Sequence, residues 1–110
     1  MNGSEKQIKW ANDIIDSNLN KIIEMLNYCL DNVNNLTFPK KETEEKKKAQ
    51  VISGLNEEME KINNIISSDA SVIIDNRKIS IVNILEKANF SLRYSSQLVK
   101  IVDEKYNIYE

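Results

Sequence analysis

Apolar residues recur at Ile8, Ala11, Ile15, Leu19, Ile22, Leu26, Cys29 and Val33, always three or four positions apart. A helix of about 3.6 residues per turn gathers that spacing into one continuous stripe. Ser4 followed by Gln7 fits a capping box, so the spacing predicts a helix over residues 5–33, a rod of roughly 43 Å. Pro39, after Asn34-Asn35, marks a turn. A second stripe (Ile52, Leu55, Met59, Ile62, Ile66) predicts a helix over 43–66 that opens on Glu44 and Glu45, where acidic residues suit the positive end of the helix dipole. Gly54 inside it implies a close backbone approach or a bend.

Ser67-Ser68-Asp69 ends that pattern. The β-branched run Val72–Ile74 has no second strand to pair with, so residues 70–78 are expected to form a short helical turn. A last helix is expected over 80–105, with Ile81, Leu85, Ala88, Leu92, Val99, Val102 and Tyr106 on one face and Ile84, Ser91, Leu98 and Ile101 widening it. The expected fold is therefore all-α: three long amphipathic helices in an antiparallel bundle, with a short helical turn before the last. Three rods leave wide apolar faces uncovered, which favours a homodimer.

Chain length and residue usage narrow the functions. One domain is expected across residues 1–110, with a formal net charge of −2, no histidine and a single cysteine. Without histidine there is no Ser-His-Asp triad and no Glu-x-x-His metal pair, and there is no Gly-rich phosphate loop. Neither an enzyme nor a cofactor is expected. Carboxylates at Asp13 and Asp16, or at Glu57, Glu58 and Glu60, read as solvated helix surface rather than a Mg²⁺ site. There is no basic-then-apolar leader pattern and no apolar run of membrane length, so a cytoplasmic protein with a reduced Cys29 is expected.

A few side chains stand out as recognition candidates. Lys46-Lys47-Lys48 is offset by Glu42, Glu44 and Glu45 and lacks interleaved aromatics, so a nucleic-acid polymer is not an expected partner. Trp10, the only tryptophan, lies off the main stripe beside Lys6 and Lys9. It either caps one end of the core or stacks on a base while the lysines meet phosphate. Arg77 is one of 2 arginines against 13 lysines. Its planar fork serves either a pair with Asp75 or Asp69, or recognition of an anion. Arg93, next to Tyr94, is a further candidate for the same site.

Two segments also carry a resemblance. Gly3-Ser4-Glu5-Lys6-Gln7-Ile8-Lys9-Trp10-Ala11 (a GSxKQIxWA motif), and Asp69–Arg77 with its Ile-Asp-x-Arg core, resemble two elements of small uncharacterised helical proteins from phages, prophages and other mobile elements. Ile73 stands where those proteins often carry an aromatic residue. The resemblance implies a non-enzymatic counter-defence protein. One expected mode is sequestration of an anionic, nucleotide-like immune signal between helices or protomers, with Lys6, Lys9, Trp10, Arg77 and Arg93 as ligand-binding residues. The alternatives are a protein that docks on and inhibits a host defence complex, or a plain helical regulatory module.

Overall fold

The computed structural model describes residues 1–109, and these are helical without a β-strand among them. Helix α1 (Glu5–Ile14) runs through one π-helical turn (Ile15–Leu19) into α2 (Asn20–Asp31), so the first rod is continuous over residues 5–31. Ser4 caps it as expected: its side chain accepts from the Gln7 N–H, and the Gln7 side chain accepts from the Ser4 N–H. In the π turn the Asn20 N–H reaches back to the Ile15 carbonyl, one residue further than an α-helix allows. That extra residue puts Ile14 and Leu19 on the core side, and Ile15 is only half-buried.

A 3₁₀ turn (Val33–Asn35), the Pro39 loop and a second 3₁₀ turn (Lys41–Thr43) lead into α3 (Glu44–Ile66). Leu55 and Ile62 are buried as expected and Met59 and Ile66 pack partly against the core, but Val51 and Glu58 are buried in addition and Ile52 is exposed. Lys48 sits 3.9 Å from both Glu44 and Glu45, the charge compensation anticipated for this basic run. Helix α4 (Ala70–Asp75) is the short helical turn, and α5 (Ile81–Lys87) and α6 (Leu92–Tyr106) follow.

The single helix expected over 80–105 is thus two helices. Ala88 leaves the helical region at ψ 156°, and Phe90 drops its ring onto Gly54 of α3, where an added Cβ would lie 2.6 Å from the ring. Leu92, counted into the stripe from the sequence, is 67% exposed as a result. The break frees carbonyls at the end of α5. Fully buried Ser95 answers one of them, donating from Oγ to the Leu85 carbonyl at 2.7 Å. Ser95→Ala strands that carbonyl away from water and is expected to lower stability by about 1–3 kcal/mol, read as a lower urea midpoint at unchanged m-value.

Helix α2 is central, packing on α3, α5 and α6, while α5 and α6 fold against each other. Gln97 bonds to the Thr37 backbone and the Tyr106 hydroxyl donates to Glu24, so α6 runs antiparallel to α2. The core is formed by Leu19, Ile22, Leu26, Cys29, Leu55, Ile62, Leu85, Leu98 and Val102 among others. Helix α1 extends past this bundle with α4 folded onto it. The molecule therefore measures 55 × 27 × 18 Å, and its radius of gyration is 15.5 Å against about 13 Å for a compact domain of this length. No helix among the described residues is long and apolar enough to cross a membrane.

Candidate functional site

The two segments singled out in the sequence lie against each other. The chain before α1 runs beside the start of α4: the Ala70 N–H donates to the Asn2 carbonyl at 2.9 Å, and the Asn2 N–H donates to Asp69 Oδ1 at 3.2 Å. Gly3 has φ +149° and no room for a side chain, since a Cβ there would lie 2.8 Å from that of Ala70. Both backbone and space call for glycine at this crossing. Ala11, Ile14, Ala70, Ile73 and Ile74 are buried, so α1 and α4 share an apolar seam.

Trp10 and Arg77 come together at the edge of that seam. The Arg77 guanidinium lies 5.6 Å from the indole centroid, within cation–π range. Its Nη1 donates to the Ile74 carbonyl at 2.9 Å, in the last turn of α4, where a cation suits the helix dipole. Among the described residues Arg77 forms no ion pair with Asp75 or Asp69. Trp10 is 49% exposed, so it does not close the end of the core and one part of the ring remains accessible. From the π turn, the Asn18 amide donates to the carbonyls of Ile79 (3.1 Å) and Arg77 (3.4 Å). Asn18 thereby holds the chain just after α4, a role that no spacing in the sequence signals.

Lys6 and Lys9 are exposed on α1. With Glu5, Ile8, Asn12 and Asp13 they make up one open face of α1. Lys6 lies one turn before Trp10, so the two are neighbours on the surface of α1. Glu5 and Asp13 balance the two lysines on the same face. Arg93 is not part of this grouping. It opens α6 beside Tyr94, whose ring lies 5.1 Å from Phe38, at the far end of the α2 rod from Trp10. The split of the last helix and the antiparallel course of α6 put it there.

Of the acidic residues read as solvated surface, Glu58 is a correction: it is only 7% exposed. Its place in the Val51–Leu55–Ile62 stripe is visible in the sequence as a spacing of three and four residues. Among the described residues no group of three or more His, Cys, Asp or Glu is arranged to hold a metal ion. Comparison of the chain with protein-family models, with curated proteins and with solved structures finds no match.

Proposed function

We propose that this chain is a non-catalytic binding protein of the phage and mobile-element type, acting in counter-defence by sequestering an anionic, nucleotide-like signal on the α1–α4 surface. The observation that carries this reading is the half-exposed Trp10 ring held beside the Arg77 guanidinium. A planar base has an aromatic face to stack on, and its phosphates have Arg77, with Lys6 and Lys9 on the same helix as the indole. The self-association expected from the sequence belongs to the same proposal, with the pocket completed between protomers.

A second reading, a protein-binding inhibitor of a host defence complex, is favoured by the charge balance of the α1 face. Glu5 and Asp13 set against Lys6 and Lys9 make a poor anion trap. They make a reasonable polar rim around an exposed tryptophan, the residue type most enriched at interface hot spots.

Because Trp10 is the only tryptophan, its fluorescence reports directly on the site. Titration with a panel of cyclic nucleotides is expected to quench or shift it saturably, and native mass spectrometry is expected to find a homo-oligomer carrying the nucleotide. Arg77→Ala is expected to weaken binding at least about tenfold, as loss of a charged hydrogen bond implies, while helical circular dichroism is retained. Equal loss of binding and stability would mark Arg77 as a helix-end clamp only. Unchanged fluorescence across the panel would move the assignment to the protein-binding reading.

A further inference from the structure

A second site lies on the other side of α4, between α3 and the α4–α5 connection. Here Glu58, Asp75, Asn76, Lys78, Ser80 and Asn83 surround a cleft of about 390 Å³. Its inner continuation, about 240 Å³, shares Glu58 and is walled by Ile62, Ile65, Ile79 and Ile84. The cleft thus has a polar mouth, an apolar back and one carboxylate on the boundary between them.

That carboxylate is unusually placed. Glu58 is 7% exposed, and its Oε2 is sealed from water with no hydrogen-bond partner among the described residues. Removing a charge from water is expensive unless a counter-charge and hydrogen bonds replace the lost hydration. Lys61 Nζ lies 3.1 Å from Oε2, but without hydrogen-bond alignment, and the lysine side chain is 69% exposed. It is a tethered ammonium at the cleft's own wall, easily withdrawn into solvent. Lys78 and Lys87 also border the cleft but are exposed, where water and salt screen them.

We infer that this cleft binds a small organic ammonium with an apolar chain: the ammonium replaces Lys61 at Glu58, and the chain enters the isoleucine-lined recess. The inference is independent of the Trp10–Arg77 reading, which concerns an anion on a different surface. Both halves of the ligand are specified by the lining. A neutral alcohol of the same shape could donate a hydrogen bond to Glu58 but would bring no counter-charge, and a bare inorganic cation would leave the recess empty.

The test is a methyl NMR titration of the full chain with n-butylammonium chloride, with 1-butanol as the neutral isostere. Saturable shifts confined to the Ile62, Ile65, Ile79 and Ile84 methyls are expected with the ammonium and not with the alcohol. Glu58→Gln is expected to weaken binding about tenfold or more, the scale of one charge-assisted hydrogen bond. Lys61→Ala is expected to tighten it by about threefold or more, because a competing ammonium is gone. A purely structural pair would give no such gain. Equal shifts with butanol, undiminished binding in Glu58→Gln, or weaker binding in Lys61→Ala would each overturn the inference. If Glu58→Gln does not fold, the alcohol comparison and Lys61→Ala decide it.

Discussion

Gly54→Val is expected to destabilise the protein by about 2 kcal/mol, and the loss is expected to vanish when Phe90 is replaced by alanine. In an isolated helix the same change is slightly favourable, because valine is a better helix former than glycine by a few tenths of a kcal/mol. The opposing term is steric. A Cβ at position 54 meets the Phe90 ring at 2.6 and 3.1 Å and the Asn89 carbonyl at 3.4 Å, and the branched side chain is fixed in one rotamer on a helix, so it cannot swing aside. Urea unfolding of the two single variants and the double variant closes the cycle, with a coupling of about 2 kcal/mol expected. Equal cost in both backgrounds would mean that the ring is not what excludes a side chain there.

That contact lies beyond what the local sequence specifies. Glycine inside a strong helical pattern signals that something approaches α3 closely, but the partner is Phe90, 36 positions away. The four residues Ala88-Asn89-Phe90-Ser91 contain neither glycine nor proline, so the break between α5 and α6 has no local punctuation. The apolar pattern runs across it because two helices facing one core can share an apolar phase by chance. Leu92 shows that the match was only apparent, being 67% exposed at the point where one continuous stripe would bury it.

The π turn hides for a related reason. Ile14 and Ile15 are both isoleucine, so inserting one residue into the turn exchanges which of them faces inward without altering the visible pattern. In contrast, the features set by local chemistry were readable: the Ser4–Gln7 capping box, the bounds of α3 and the short α4. Trp10 and Arg77 were readable as unusual residue types, while their meeting depends on α4 folding onto α1, which takes Gly3 and Asn18 as well. Glu58 reads as solvated because its charge outweighs its register, although its stripe neighbours Leu55 and Ile62 are fully or almost fully buried.

Stability is expected to fall as pH rises above about 9, with Cys29 the largest source, and Cys29→Ala is expected to remove most of the decline. Cys29 is fully enclosed between α2 and its neighbours, and burial pushes its thiol from an ordinary 9.0 up to about 12. Below pH 8 the thiol is protonated in both folded and unfolded chains and contributes no pH dependence. As pH rises through 9.0 the unfolded thiol ionises while the folded one keeps its proton, so unfolding releases a proton and is favoured. Each pH unit in this window costs about 1.4 kcal/mol, giving about 2 kcal/mol by pH 10.5. Tyr106 is shifted in the same direction, by partial burial first and then by its hydrogen bond to Glu24, and adds to the decline above pH 10. Urea unfolding under reductant from pH 7 to 10.5 separates the two. Cys29→Ala loses a constant packing term at every pH but follows a flatter profile, keeping only the Tyr106 share. Parallel profiles for the variant and the parent would mean that the thiol ionises in the native core, and that water reaches Cys29 far more easily than its packing implies.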